Sequence, residues 1–118
     1  MTAFVFDYPF RELSPNYHAH WSRKEKARKA AILLGKTAGL HHPPLDVDGN
    51  YRMAITVHPP DKRRRDLDNI VASMKPYIDG LCAVLEIDDS QIKDVSAEMG
   101  NVIKGGAVMV DIDAIGAI

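Results

Sequence analysis

At 118 residues, with 46% hydrophobic and 26% charged side chains, the chain has the size and composition of one ordinary globular domain spanning 1–118. No apolar run approaches the ~18 residues of a membrane span, so no spanning segment is expected. The net charge of −1 hides an asymmetry: seven basic and two acidic residues lie in 11–36, five and one in 52–65, but two and eight in 76–118. Near-neutrality therefore does not exclude a polyanionic partner, because binding follows the local patch.

The opening MTAFVFDYPF lacks a positive n-region and interrupts its apolar run with an acid, which predicts no secretory signal. Cys82 stands alone and cannot form an internal disulfide, so a reducing, cytoplasmic location is expected. Residues 3–9 read as a strand, with Phe4 and Phe6 against Val5 and Asp7. Ser14-Pro15-Asn16 is a turn signal, followed by an aromatic loop of Tyr17, His18, His20 and Trp21. Such a loop either packs on the sheet or stacks on exposed bases.

Ser22 with Glu25 fits a capping box and predicts a helix from about 23 to 37, burying Ala27, Ala30, Ala31, Leu34 and Leu33. Arg23, Lys24, Lys26, Arg28 and Lys29 crowd its first two turns, where cations oppose the helix dipole by a few tenths of a kcal/mol. A solvated face accommodates them; phosphate contact explains their placement better. Asp48-Gly49 marks a turn, and the next strand alternates Tyr51, Met53, Ile55 and Val57 against Arg52, Ala54, Thr56 and His58 until Pro59-Pro60.

Past the basic run Lys62 to Arg65, a helical stripe carries Ile70, Val71, Met74, Ile78, Leu81, Cys82 and Leu85, with Pro76 expected to bend it. Residues 91–99 and 106–113 read as two further strands, joined by a Gly-rich turn from Gly100 to Gly106. The expected class is α+β: a small mixed or antiparallel sheet with two main helices packed on it. His18, His20, His41, His42 and His58 are read as surface or packing residues.

The chemistry concentrates between His58 and Asp89. Asp66 and Asp68 have structural uses as N-cap, dipole partner or salt-bridge partner of the neighbouring arginines. Adding Asp89 favours another use. Three carboxylates converging at ~4 Å repel by about 4 kcal/mol per pair at an effective dielectric near 20, so such a site needs a cation. Hard oxygen donors suit Mg²⁺, or Mn²⁺, better than zinc. Beside them Lys62, Arg63, Arg64 and Arg65 can hold phosphates. A metal-bound water can then attack a phosphodiester, with Lys75 orienting the nucleophile or neutralising the leaving oxygen. The structural use of Lys75 is an i,i+4 pair with Asp79.

The run Arg63-Arg64-Arg65-Asp66-Leu67-Asp68-Asn69, then Lys75 and Asp79-Gly80-Leu81, then Asp88-Asp89-Ser90-Gln91, resembles the RusA family of Holliday-junction resolvases. The motif match spans about residues 57–94. The resemblance implies a homodimeric, Mg²⁺-dependent, often prophage-borne endonuclease that resolves four-way DNA junctions by symmetric paired nicks. It assigns metal ligation to Asp66, Asp68 and Asp89 and an essential cationic role to Lys75. Lys62 to Arg65, with Arg23, Lys24 and Asn69, form the expected DNA-contacting set. One departure is visible: Ala72 stands where some members carry the lysine, and Lys75, one further turn along a continuous helix, can substitute. The competing class is a branched-nucleic-acid binding module that does no chemistry.

A continuous helix from 69 to 85 would be about 25 Å long and would hold Asp89 away from Asp68 of its own chain. Either Pro76 folds the segment back sharply or two antiparallel copies complete each other's sites. The expectation is the dimer with composite sites.

Overall fold

Four strands form, β1 (Thr2–Asp7), β2 (Asn50–His58), β3 (Ile92–Met99) and β4 (Ala107–Ile115), and in β1, β2 and β4 buried apolar residues recur at every second position. The computed structural model describes residues 2–46 and 48–116. Three α-helices complete it, α1 (Trp21–Gly39), α2 (Leu67–Ser73) and α3 (Lys75–Leu85), with 3-10 turns at Arg11–Leu13 and Asp89–Gln91. The class is α+β. The sheet order is β1-β4-β2-β3, with β4 antiparallel to both neighbours and β3 parallel to β2, so the sheet is mixed.

Strand register aligns Phe4, Val110 and Ile55 in one row and Phe6, Val108 and Val57 in the next. All six are buried, and Ala31, Met74, Tyr77, Leu81 and Leu85 of the helical segments join them in one core. Tyr77 extends the core to the loop after β1, accepting a hydrogen bond from the Phe10 backbone N–H through its hydroxyl at 3.1 Å.

Several elements depart from their expected form. β1 ends at Asp7, where its last pairing with Ala107 is made, and Pro9 lies outside it. α1 begins at Trp21 instead of Arg23, because His20 is the cap: its Nδ1 accepts from the Ser22 N–H at 3.2 Å. The expected Ser22–Glu25 box does not form, and Glu25 instead receives two hydrogen bonds from Arg28, at 2.6 and 2.9 Å. Leu33 and Leu34 are exposed, and the buried positions of α1 are Ala27, Ala31, Gly35 and Gly39.

Glycine is buried there because α1 and α3 meet backbone to backbone. A Cβ on Gly35 would strike the Tyr77 carbonyl oxygen, and one on Gly80 would strike the Ile32 carbonyl oxygen. No larger residue permits that approach.

The expected bent helix is two helices. α2 ends at Ser73, whose hydroxyl donates back to the Asn69 carbonyl at 2.8 Å, and Met74 (φ −81°, ψ −10°) separates it from α3. Pro76 then lies in the first turn of α3, where its missing N–H would have had no partner anyway. The proline starts a helix instead of bending one. The last two strands are also not a hairpin. The 100–106 connection passes over the end of β2, with Gly100 N–H bonded to the Val57 carbonyl at 2.7 Å and Ile103 N–H to the Pro59 carbonyl at 3.0 Å. It delivers β4 to the far side of β2, leaving β3 at the sheet edge. No helix among the described residues is long and apolar enough to cross a membrane.

Candidate functional site

β2 ends at Pro59-Pro60 and the chain enters the basic loop, whose organiser is Asp61. Its carboxylate accepts the Arg63 N–H at 2.9 Å and pairs with the guanidinium groups of Arg63 at 3.2 Å and Arg65 at 2.8 Å. The hydrogen bonds from Arg63 and Arg65 pull the Asp61 carboxyl down to about 2. Arg65 is turned inward, with 16% of its side chain exposed, and donates to the backbone carbonyls of Asp61 and Arg63 at 3.1 and 2.9 Å. Its guanidinium holds the loop together, whereas Lys62, Arg63 and Arg64 face solvent. Asp61 is not among the site residues expected from the sequence. An aspartate followed by arginines at +2 and +4 was the available signal, since a short acid readily accepts from the backbone two residues on.

The loop delivers Asp66 to the start of α2. One carboxylate oxygen accepts the Asp68 N–H at 3.0 Å, so Asp66 is the N-cap, and Asp68 sits in the first turn, where a negative charge is favoured. α2 has seven residues, too few to persist on its own, so its cap matters. Both carboxylates are exposed, and the second oxygen of Asp66 takes no part in the cap bond. Of the structural uses expected of these acids, Asp66 takes the N-cap and Asp68 the dipole position, while Arg63 and Arg65 pair with Asp61 instead.

The second acidic pair divides its labour. Asp88 caps the turn 89–91: one of its carboxylate oxygens accepts from the Ser90 N–H at 3.1 Å and the Ser90 hydroxyl at 2.6 Å, while the Gln91 side-chain Oε1 accepts the Asp88 N–H at 2.8 Å. The Ser90 bonds hold the Asp88 carboxyl below its usual range. Gln91 also ties this turn to the loop before β2, donating to the carbonyls of Asp46 and Gly49 at 3.2 and 3.0 Å. Asp89 is left with 72% of its side chain exposed, 3.9 Å from the ammonium of Lys75.

Lys75 makes its closer contact with Asp79, at 3.2 Å, the i,i+4 pair anticipated as its structural use. The Asp79 bond and charge, helped by Asp89, raise the Lys75 pKa and keep it cationic through neutral pH. Asp89 can return to the start of α3 because Glu86 adopts a left-handed conformation (φ 59°) and reverses the chain after Leu85. The continuous helix expected to place Lys75 one turn beyond Ala72 is not formed: Asp68 and Ala72 belong to α2 and Lys75 to α3.

One chain thus presents two sets: Asp66 and Asp68 at the start of α2, and Lys75, Asp79 and Asp89 beyond its end. Among the described residues, no three histidine, cysteine or acidic side chains are grouped so that they could hold a metal ion. The donors are of the right type for a hard cation, but the three expected ligands are not gathered within one chain. Lys75, Asp79 and Asp89 also line an apolar groove of about 430 Å³ formed with Met53, Ile55, Val71, Ile78, Ile92 and Val95. Nearby Cys82 is buried. Desolvation first, then the charges of Asp89 and Asp79, push its thiol up to about 11, so it stays protonated and unreactive.

No family model matches the chain. It is 33% identical to an uncharacterized protein of Xylella fastidiosa (strain Temecula1) over an alignment covering 98% of this chain and 78% of that protein. The chain belongs to that protein's family. Kinship therefore extends over nearly the whole domain, α1 and all four strands included, and is not confined to the motif-bearing third. The relative's description carries no chemistry, and the functional reading rests on the residues themselves.

Proposed function

We propose that the protein is a RusA-like, Mg²⁺-dependent, structure-specific DNA endonuclease that acts in the cytoplasm as a homodimer and resolves four-way junctions by paired nicks. The observation that carries this reading is the juxtaposition of an exposed basic loop with two exposed carboxylates at the start of α2, an arrangement suited to metal-assisted phosphodiester hydrolysis. Lys62, Arg63 and Arg64 hold the DNA backbone. Asp66 and Asp68 of one copy and Asp89 of the other hold Mg²⁺, or Mn²⁺, which when bound supplies an activated water and offsets charge on the phosphodiester. Lys75, held beside Asp89 at 3.9 Å, is the cation nearest that carboxylate and neutralises developing charge.

The apolar groove beside Asp89, a surface suited to burial against a second copy, supports the composite-site version. The test uses a synthetic four-way junction and a linear duplex of the same length, with and without Mg²⁺, and wild type beside Asp68→Asn. Paired nicks on the junction alone, abolished in the variant while binding persists, are expected. Equal cutting of the duplex would leave a general nuclease instead.

A binding module without chemistry is the second reading, and a specific observation favours it: Asp66 already caps α2 and Lys75 is already paired with Asp79. It requires junction binding that ignores Mg²⁺ and survives Asp89→Asn with no nicking by wild type.

A further inference from the structure

A second, larger groove of about 750 Å³ lies on the other side of Lys75, within the size range of small-ligand sites. Leu13, Ser14 and Pro15 of the loop line it on one side, Trp21, Lys24 and Arg28 of α1 on another, and Ala72, Lys75 and Pro76 of the α2–α3 junction on the third. Trp21 is 72% exposed, an unusual state for the residue type with the most apolar surface to lose. Trp21 sits in the first turn of a 19-residue helix, beside the ring of His20, which caps that helix and lies 5.8 Å from the indole at a tilt of 34°.

The charges of the groove are unevenly satisfied. Glu25 pairs with Arg28 at 2.6 Å, Asp79 with Lys75 at 3.2 Å and Glu12 with Arg11 at 3.8 Å, so every acid that lines it has a cation. Lys24 has no ion-pair partner among the described residues, and Arg23, Lys26 and Lys29 add exposed positive charge along the same helix. A flat aromatic face flanked by unpaired cations matches a ligand with a π-face and a phosphate on the same unit.

We infer that Trp21 is a stacking platform for one unpaired nucleotide of a branched or single DNA strand, with Lys24 on its phosphate. A base in intact duplex has both faces covered by its neighbours, so the platform selects DNA with an unstacked base. Lys75 lines this groove and the one beside Asp89 alike, so a strand anchored on Trp21 passes the acidic set as it leaves. The inference rests on the nucleic-acid side of the proposed function and not on its chemistry.

Trp21 is the only tryptophan in the chain, so its emission reports on the platform directly. The full-length protein is titrated in EDTA with a four-way junction, a thymidine 12-mer and a linear duplex. Junction and 12-mer are expected to quench the emission by half or more, the duplex by far less. Trp21→Ala is expected to weaken junction binding roughly 5- to 100-fold, and Trp21→Phe, which keeps an aromatic face, to restore most of it. Unchanged emission, equal quenching by duplex, or binding indifferent to Trp21→Ala would each overturn the platform. Quenching without any nicking in Mg²⁺ would keep the platform and retire the nuclease. Nicking with unchanged emission would do the opposite.

Discussion

Asp66 has two chemistries that a single substitution separates. Asparagine caps a helix as well as aspartate does but is a poor ligand for a hard cation. Asp66→Asn is therefore expected to leave stability within about 0.5 kcal/mol of wild type and to abolish nicking, whereas Asp66→Ala loses nicking and about 1 kcal/mol as well, read by urea denaturation. Equal nicking by wild type and Asp66→Asn would remove this carboxylate from the metal set. Asp61 predicts a pH dependence. Its folded carboxyl is depressed from the ordinary 3.8 to about 2, so its contribution is complete above about pH 4 and is lost as pH falls through 2. The protection factor of the Arg63 amide, taken against the intrinsic exchange rate at each pH, is expected to fall across that window in wild type and to be low already at neutral pH in Asp61→Ala.

Among the elements, the contact between α1 and α3 is the least tolerant of change. Gly80→Ala puts a methyl into the Ile32 carbonyl, so the helices must separate, at an expected cost of about 1–3 kcal/mol, read as a lower urea midpoint with unchanged slope. Little of this contact was legible in sequence, because the residues that mediate it, Gly35 and Gly80, carry no hydrophobic signal; the pattern instead placed Leu33 and Leu34 inside. The strands were legible, since alternation over Tyr51–Val57 and Val108–Ile112 marks both their existence and their buried face. Their neighbours were not, because alternation says nothing of which strand lies alongside, and a Gly-rich connection reads as a tight turn even where it steps over β2. The break before Pro76 was hidden because Met74, the residue at the break, is itself buried and continues the apolar stripe.

At the scale of the whole molecule, the residue types of the candidate site were legible and their grouping was not. The pairing of Lys75 with Asp79 follows from helical spacing, but its approach to Asp89 depends on a left-handed Glu86, which no local pattern announces. Composite sites predict complementation: mixing Asp68→Asn with Asp89→Asn chains rebuilds one intact site per mixed dimer, so single nicks should reappear on the junction, while sites within one chain leave the mixture inactive. Val95→Lys, at an exposed position of the apolar groove, is expected to give a folded monomer in sedimentation and to lose paired nicking. The sheet order has one more consequence, which concerns synthesis. β1 pairs with β4 alone, so Thr2 waits for Ile112. At ~5–20 residues per second, Phe4 and Phe6 emerge from the ribosome roughly 5–20 s before their partners exist. For that interval the first apolar strand has no sheet to join, and the nascent chain is a client for whatever shields hydrophobic segments at the exit tunnel.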